Sequence, residues 1–446
     1  MELTINNINI VKHAEIKLNG LTVIAGENGT GKSTVGKVLF STIKALSNTM
    51  YNSESQATKG VQKYVNSIYR RLSVSRQFSG RLDSTVFPRL THTLVRRIDG
   101  IVQDTSVEPE AKKRLIHDLV ISLRKYVEDI EDITPRIKSL IYGDLDNLKI
   151  CATEVNNIAA QLFTEINYLI ESEFMNRIML HDTTEASVKL EDNDIDARVS
   201  YKIKDNTLDE INTHKIFELF EDATYVESPL YLHIIDVLLA ASTYREISTT
   251  SRPSLIRGMV PVHIKDLSEK IYSARFVNNI QGTIGMTVDD GMFKYEKDKL
   301  VYEKKGKQYS PINIASGLKA FGVLQLLQET GNIGAKKILI WDEPENHLHP
   351  KWQTVFAEQL VRFAQKGIPV VVSTHSPYII QAIRYHSASC AIENFVNYYF
   401  SEDRGNGYSE IKDITQDLNY VFRKLAGPLN DVMNVDLARS KKTINA

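Results

Sequence analysis

The sequence predicts an α/β fold, a mixed sheet with helices that is interrupted by an inserted α-helical arm. Three observations predict it. The glycine-rich stretch "GENGTGKST" (26–34) follows the apolar run Leu21–Ala25 and precedes a helical pattern. Strand–helix alternation returns in the last third of the chain, as a parallel sheet requires. Between these two parts, apolar residues recur at helical spacing over 145–169.

The sheet-forming part is expected to comprise residues 1–50 and 223–446, separated by a mainly helical insertion over 51–222. A further helix is predicted over 108–133, with one proline in its first turn and another just beyond its end. We interpret the insertion as a helical hairpin or small bundle that packs within the chain. An intermolecular coiled coil is the alternative interpretation.

The N-terminal 25 residues are predicted to form three short strands. Breaks are expected at Lys12-His13 and at Asn19-Gly20, because an Asn-Gly pair is typical of a hairpin turn.

The middle of the chain mixes strand and helix patterns. Strand-like alternation over 186–203 is followed by a predicted helix over 208–221, and 282–303 is typical of a β-hairpin that turns at 289–291.

Composition indicates an ordinary globular protein. Of 446 residues, 42% are apolar and 24% are charged, and the formal net charge is −1, so no global field favours nucleic acid or membrane. Cys151 and Cys390 show no metal-ligand spacing and suit a reducing compartment. With no apolar run of ~18 residues and no signal-peptide pattern, the chain is expected to be cytoplasmic, without membrane contact.

The glycine-rich stretch fits the phosphate-loop pattern G-x-x-x-x-G-K-[ST]. Its glycines let the backbone N–H groups point at a phosphate, Lys32 reaches the β- and γ-phosphates, and the Ser33 hydroxyl contacts Mg²⁺. A plain glycine-rich turn is the alternative, but the flanking strand and helix favour nucleotide binding. The expected nucleotide-binding residues are Asn28, Gly29, Thr30, Gly31, Lys32, Ser33 and Thr34.

The segment "KKILIWDEPENHLHP" (336–350) places two carboxylates at the end of an apolar strand. Asp342 is a candidate ligand of the same Mg²⁺, and Glu343 is a candidate general base for an attacking water. An acidic pair after a strand is common by itself and becomes informative downstream of a phosphate loop.

A second apolar strand, "IPVVVSTHSP" (368–377), ends in Ser-Thr-His. His375 at that strand end is a candidate for a hydrogen bond to the γ-phosphate. A lone structural histidine is the alternative.

A third segment, "NIASGLKAFGVLQLLQE" (313–329), begins a strongly apolar helix at Ser316-Gly317. The first N–H groups of a helix and a serine hydroxyl form an anion site, although serine and glycine also serve as ordinary helix caps. The position of Ser316, 26 residues before Asp342, favours the anion site.

This order of motifs resembles the ABC-type ATPases, in particular the branch that contains the SMC, SbcC, RecF and overcoming-lysogenisation-defect (OLD) proteins. The resemblance covers roughly residues 1–48 and 223–400, and "WDEPENHLHPKWQ" is similar to the Walker B segment of that branch. The signature reads Ala-Ser-Gly-Leu-Lys and not Leu-Ser-Gly-Gly. No glutamine stands in the loop that joins sheet to helical lobe, where Glu227 of "TYVESP" takes its place.

The resemblance implies ATP and Mg²⁺ as cofactors and ATP hydrolysis as the activity, with Glu343, His375 and Lys32 as catalytic residues. It also implies that Ser316 and Gly317 contact the γ-phosphate held by an opposite copy. We therefore expect a head-to-tail homodimer that ATP closes and hydrolysis opens, with higher oligomers as an extension.

No Toprim-like acidic set follows His375. The chain thus resembles the ATPase subunits of antiphage systems such as Septu and PARIS, which implies a separate effector protein, such as a nuclease. The alternatives are a DNA repair ATPase similar to RecF or SbcC, and a scaffold that binds ATP without hydrolysing it.

An arginine-rich segment over 66–98 has aromatic residues interleaved, a combination that suits nucleic acid or an acidic partner. An ion-paired helical face is the alternative. Its arginines are Arg70, Arg71, Arg76, Arg81, Arg89, Arg96 and Arg97.

Overall fold

The computed structural model describes residues 1–50, 109–128, 134–153, 158–235, 260–276 and 291–425, except 176 and 298, together with positions 68, 97 and 238. The chain divides into two compact units. The first unit comprises Met1–Leu46 and Phe163–Ala446, and the second comprises Ser47–Leu162.

The strands of the first unit form a large sheet and a small one. The strands are β1 (Glu2–Ile8), β2 (Val11–Lys17), β3 (Leu21–Gly26), β4 (Ala186–Asp192), β5 (Ala197–Lys204), β6 (Thr207–His214), β7 (Asp222–Val226), β8 (Gly291–Glu296), β9 (Lys299–Lys304), β10 (Lys307–Tyr309), β11 (Lys337–Asp342), β12 (Val370–Thr374), β13 (Val396–Asp403) and β14 (Ser409–Asp413). The large sheet has the order β6-β5-β4-β1-β2-β14-β13-β3-β12-β11-β7, and β10-β9-β8 form the small sheet. Strands β13, β3, β12, β11 and β7 are parallel neighbours, whereas β2, β1, β4, β5 and β6 pair antiparallel.

The helices of the described residues are α1 (32–50), α2 (Pro109–Glu128), α3 (Pro135–Thr153), α4 (Ile158–Phe174), α5 (Val262–Tyr272), α6 (Ser316–Glu329), α7 (Pro350–Gln365), α8 (Pro377–Ser389) and α9 (418–425). Because side chains alternate across a strand, the parallel strands bury apolar residues on both faces. Val23, Trp341 and Val372 belong to the cluster that α6, α7 and α8 cover. On the other face, Gly36 of α1 packs closely against Tyr225 and Ile340.

The sequence-based prediction of an α/β fold with a mixed sheet is confirmed. The phosphate-loop segment follows β3 and precedes α1, while the acidic pair and the Ser-Thr-His segment lie at the ends of β11 and β12.

The predicted break at Lys12-His13 is wrong, since both residues lie in β2 at exposed positions. The turn comes earlier, where Asn9 adopts a φ of 53°, a left-handed conformation that asparagine tolerates. Asn19-Gly20 does turn the chain, but not into a hairpin, because β14 and β13 lie between β2 and β3.

The predicted helix over 208–221 is wrong as well, because Thr207–His214 forms the edge strand β6. Its many charged and polar side chains face solvent, as is common on edge strands. Strands β4 to β6 fall in the 51–222 stretch assigned to the insertion from sequence, yet β4 pairs with β1 in the large sheet.

Of the turn predicted at 289–291, only Gly291 lies within the described residues, and the small sheet places a hairpin turn further along the chain. Gly291 is the first residue of β8, and β8 turns into β9 after Glu296, which pairs with Lys299. A Cβ on Gly291 would lie 2.3 Å from the Tyr302 ring, so this glycine permits close packing and does not form a turn.

In the second unit, α2 and α3 pack against each other, and Arg124 donates to Asp146 across the pair at 2.8 Å. Leu145 and Leu148 on α3 and Leu162 on α4 are buried, as the apolar spacing predicts. The arginine-rich segment 66–98 lies outside the described residues, apart from positions 68 and 97. No helix among the described residues is long and apolar enough to cross a membrane.

Candidate nucleotide site

Four parallel strands bring the predicted site residues to one edge of the sheet. In the register, Trp341 pairs with Val226, Asp342 with Ser373, and Thr374 with Ala25. The carboxyl ends of β7, β11, β12 and β3 therefore lie side by side. In open α/β sheets such edges are where ligands bind.

The loop after β3 has the backbone that a phosphate site needs. Gly29 and Gly31 have φ values of 77° and 94°, which other residues rarely adopt. A Cβ on Gly31 would lie 2.6 Å from a methyl group of Val11. The hydroxyl of Ser401 on β13 donates to the carbonyl of Thr30 at 2.6 Å, so the neighbouring strand holds the loop in place.

Lys32 is buried within this loop. Its Nζ donates to the carbonyl of Glu27 at 2.7 Å and lies 3.7 Å from Oε1 of Glu343. The hydroxyl of Thr30 donates to the same carbonyl. The ammonium group is thus held at the loop by a backbone carbonyl and makes only a long ion pair with Glu343, which leaves it available to a phosphate.

The remaining loop residues differ in exposure. Asn28 and Gly29 are exposed and Ser33 is half-buried, whereas Thr34 is buried and accepts a long hydrogen bond from Asn9 at 3.4 Å. No hydrogen bond joins the Ser33 hydroxyl to another described residue.

Asp342 is buried at the end of β11 and is held by two hydroxyl groups. Tyr225 donates to Oδ2 at 3.0 Å, and Ser373 makes a short hydrogen bond to Oδ1. These bonds fix the carboxylate while keeping it an oxygen ligand. Oxygen atoms are the ligands that Mg²⁺ prefers.

Glu343 occupies the centre of the site. Its backbone has a φ of 44°, and its N–H donates to the carbonyl of Ser373 at 2.9 Å, so the chain turns sharply away from β11. Oε1 lies 3.7 Å from Lys32 Nζ and 3.5 Å from His375 Nδ1. Asn346 donates to Oε2 at 3.2 Å. A partly exposed carboxylate between two basic groups suits a proton acceptor.

Glu345 is a residue that sequence reasoning missed. Its buried Oε1 accepts from the Thr374 hydroxyl and from the N–H groups of His375 and Ser376, at 2.6–3.1 Å. Burial raises the pKa of this carboxyl above its usual range. Oε1 also lies 3.1 Å from His375 Nδ1. Glu345 therefore fixes the backbone that carries His375, and its place as the third acidic residue of "DEPE" is the only local signal for it.

Glu227 follows β7 and lies next to Asp342 in the register, since Val226 pairs with Trp341. Hydrogen bonds from His263 and Tyr231 lower the pKa of its carboxyl to about 2. Sequence reasoning missed His263, because nothing in the sequence around it marks its distant partners.

Ser316 and Gly317 are not joined to this group by any hydrogen bond or ion pair between described residues. They begin α6, where a Cβ on Gly317 would lie 3.0 Å from Leu348 and 3.3 Å from the carbonyl of His347. The residue before the helix, Ala315, provides no side-chain cap, so the first N–H groups of α6 are left without one.

The residues present fit ATP and Mg²⁺. Lys32 and the backbone N–H groups of the loop are the expected phosphate ligands. The Ser33 hydroxyl and the Asp342 carboxylate supply two oxygen ligands, and Mg²⁺ typically completes such a set with phosphate oxygens and water.

Comparisons with known proteins find two local sequence matches. Residues 294–381 match a family model described as "AAA domain, putative AbiEii toxin, Type IV TA system". This range includes α6, β11 and β12 but not the phosphate loop. Protein ea59 of Escherichia phage lambda is 30% identical over 98 residues, which are 22% of this chain and only 17% of that protein.

Three solved structures share low identity and low overall superposition with the chain. The SMC head domain from Thermotoga maritima is 12% identical, with 92% of this chain and 97% of that chain covered and a TM-score of 0.36. The Smc head domain with an extended coiled coil bound to the C-terminal domain of ScpA, derived from Pyrococcus furiosus, is 10% identical, with 97% and 98% covered and a TM-score of 0.38. The recombination mediator protein RecF-ATPrS is 10% identical, with 92% and 97% covered and a TM-score of 0.33.

The phosphate loop before α1 and the acidic pair after β11 are arranged as in P-loop nucleotide-binding folds, and the family match covers the acidic pair but not the loop.

Proposed function

We propose that this protein is a Mg²⁺-dependent ATPase. The observation that supports it best is the position of Glu343, whose Oε1 lies between Lys32 Nζ and His375 Nδ1 at the edge where the phosphate loop ends. Bound Mg²⁺ supplies positive charge that offsets the charge of the phosphates.

The chain's own residues have separate tasks in this proposal. Lys32 and the loop N–H groups bind and orient the β- and γ-phosphates. Glu343 accepts a proton from the attacking water at its Oε1. His375 donates a hydrogen bond to the γ-phosphate, and Glu345 keeps the histidine in place. Tyr225 and Ser373 orient Asp342 as a metal ligand.

Steady-state phosphate release tests the proposal. Wild-type protein with ATP and Mg²⁺ should release phosphate, and Lys32→Ala should lose both nucleotide binding and release. Lys366→Ala, at an exposed position after α7, is the matched control and should behave as wild type. Tight ATP binding without Lys32-dependent release would favour a non-hydrolysing scaffold.

The working unit in this proposal is a head-to-tail homodimer. Ser316 and Gly317 lie outside the hydrogen-bonded group around Glu343, so their uncapped helix N-terminus is available to a phosphate held by a second copy. Ser316→Arg should leave ATP binding intact but prevent ATP-driven pairing, as measured by light scattering. A fully active monomer would contradict it.

For the biological role, we propose a cytoplasmic ATPase subunit that controls a separate effector protein, such as a nuclease, in antiphage defence. The family description, which names a toxin of a toxin–antitoxin system, supports this direction. The purified protein with ATP and Mg²⁺ should then leave DNA uncut. Cleavage by this chain alone, or co-purification with recombination proteins and no effector, would favour DNA repair instead.

The arginine-rich segment 66–98 stays a proposed contact for nucleic acid or an acidic partner. Replacing Arg70, Arg71, Arg96 and Arg97 with serine should weaken nucleic-acid binding and flatten its salt dependence. Unchanged binding would favour an ion-paired face.

A further inference from the structure

A buried histidine joins two carboxylates beside the nucleotide site. His263 has no exposed side-chain surface, and its Nδ1 lies 2.6 Å from Oε2 of Glu173 while its Nε2 lies 3.1 Å from Oε2 of Glu227. Because both ring nitrogens face carboxylate oxygens, the imidazolium form is the one that can donate to both. Burial alone would lower the pKa of His263, but the two carboxylates outweigh it and raise this pKa above the usual range.

One end of this arrangement is rigidly anchored. Pro261 precedes α5 and provides no side-chain cap, so the end of α4 caps the helix instead. Ser172 accepts from the N–H of Val262, and Oε1 of Glu173 accepts from the N–H of His263, both at 3.0 Å. Glu173 thus holds the backbone and the ring of His263 at the same time.

The Glu227 end of this arrangement is open to solvent. Oε2 of Glu227 accepts from Tyr231 at 2.7 Å in addition to His263. No described residue donates to Oε1, and the Glu227 side chain is 39% exposed. The register places this free oxygen on the same edge as Asp342.

The surroundings tie the histidine to the metal-ligand carboxylate as well. The ring of Tyr225 packs edge-on against His263, with centroids 4.8 Å apart, and the Tyr225 hydroxyl donates to Asp342. Lys37 of α1 is the positive side chain that also acts on Glu227.

We propose that His263 is a positioning residue for Glu227, the residue that stands where the resemblance expects a glutamine. The inference rests on the proposed ATPase function. Held by His263 and Tyr231, Glu227 turns its free oxygen towards water bound at the triphosphate and orients that water. The arrangement therefore sets the rate of hydrolysis and leaves nucleotide affinity unchanged.

Two substitutions separate positioning from packing. The side-chain amide nitrogen of asparagine takes nearly the position of histidine Nδ1. His263→Asn therefore keeps the hydrogen bond to Glu173 and loses the hydrogen bond to Glu227. The amide of glutamine approximates Nε2, so His263→Gln keeps a donor for Glu227. We expect His263→Asn to lower kcat on the order of ten- to hundred-fold and His263→Gln only a few-fold. The Kd of a fluorescent ATP analogue should stay within about two-fold in both variants, as expected when only rate-related contacts change.

A third substitution guards against misfolding. Glu227→Asp, at a half-exposed position, withdraws the carboxylate by one methylene and should slow turnover at unchanged affinity. In His263→Asn combined with Glu227→Gln, kcat should be no lower than in Glu227→Gln alone, because one residue acts through the other.

Several results would overturn the inference. An unchanged kcat in Glu227→Asp would do so, as would equal losses in His263→Asn and His263→Gln that follow their urea unfolding midpoints. If wild type turns over while His263→Asn is equally fast, only the positioning role falls. If wild type shows no Lys32-dependent phosphate release, the ATPase proposal falls and this inference with it.

Discussion

The two ends of the parallel strands hold charged side chains in opposite ways, and the first end is represented by the start of β7. There, Asp222 belongs to a closed ring of four charges with Lys44, Asp266 and Lys270, of which Asp266 and Lys270 are buried and the other two half-buried. The four lysine–carboxylate distances are 2.6–3.0 Å, and each lysine contacts both aspartates. Although burial raises it, the two lysines hold the pKa of Asp222 below its usual range.

At the carboxyl edge of the sheet, the charged side chains are partly exposed to solvent and only incompletely paired. The side chains of Glu343 and His375 are 25% and 38% exposed, and Lys32 approaches its carboxylate only to 3.7 Å. A charge pair that is fully satisfied within the chain stabilises the fold. Incomplete pairing at the carboxyl edge is what a site for a charged ligand requires. The comparison therefore indicates a stabilising role for the charges at the start of β7, and it supports the proposal of a ligand site at the carboxyl edge of the neighbouring strands.

The largest expected effect is at the open end. Glu343→Gln removes the proton acceptor but keeps the shape of the side chain, so turnover should fall by roughly 10²–10⁴-fold while ATP stays bound. Phosphate release and nucleotide affinity are the measurements, with the exposed Glu393→Gln as the matched control. Full turnover in Glu343→Gln would show that another group is the base.

The next effect is at the closed end. Lys270→Ala leaves Asp222 and Asp266 with Lys44 alone and frees the carbonyl of Ala223, to which Lys270 also donates at 2.7 Å. The free energy of unfolding should fall by about 3 kcal/mol, as measured by urea denaturation. Lys265→Ala, on the exposed face of the same helix, should change it by less than about 0.5 kcal/mol. If the two substitutions lowered the free energy of unfolding equally, the charged ring would stabilise the fold no more than an exposed lysine does.

A smaller effect is expected at Glu345, which belongs to the catalytic edge but is buried. Glu345→Ala removes the acceptor of the Thr374 hydroxyl and of the His375 N–H, whereas the Ser376 N–H keeps the Thr374 oxygen. It should cost about 1–3 kcal/mol of stability and slow turnover, because the backbone that carries His375 is held less firmly. Glu345→Gln keeps an acceptor oxygen and should retain more of both properties. If Glu345→Ala had wild-type stability and turnover, its role in holding the loop would be excluded.

The smallest effect is the pH dependence of the pair between His263 and Glu227. The lowered pKa of Glu227, about 2, gives a contribution that is present above its ordinary pKa of 4.5 and is lost as pH falls towards 2. The raised pKa of His263 gives a contribution that is complete below its ordinary 6.5 and is lost as pH rises through the higher folded value. The stability difference between wild type and His263→Gln should thus be greatest between about pH 4.5 and 6.5.

Urea unfolding at pH 5.5 and 9 measures that difference. A gap that is the same at both pH values would contradict the charged pair.

The sequence predicts the catalytic edge better than the rest of the molecule. The phosphate loop, Asp342-Glu343 and His375 each follow a short apolar strand, and such local patterns survive in the fold because parallel strands are buried on both faces. The edge strand β6 was missed because its polar side chains give no apolar alternation, and its conformation is fixed by pairing with β5.

The supporting residues were also missed, for a different reason. Glu173 and His263 lie far apart along the chain from each other and from Glu227, which the sequence did indicate, and Lys44 meets Asp222 and Asp266 only in the folded sheet. Contacts between side chains that are this far apart along the chain produce no periodic pattern in the sequence, so they cannot be predicted from it. Glu345 is the exception, since it stands two residues after Glu343.

The central claim, that one chain owns two halves of different ATP sites, is tested most directly by mixing two inactive variants. Lys32→Ala keeps an intact Ser316, and Ser316→Arg keeps an intact phosphate loop. In a mixed head-to-tail dimer, one of the two sites regains both halves. After equal mixing, phosphate release should rise well above that of either variant alone, to at most about half of the wild-type rate, because only the mixed dimer holds a complete site and it holds one of two. If the mixture stays as inactive as either variant alone, or if Ser316→Arg is fully active by itself, the shared site is contradicted.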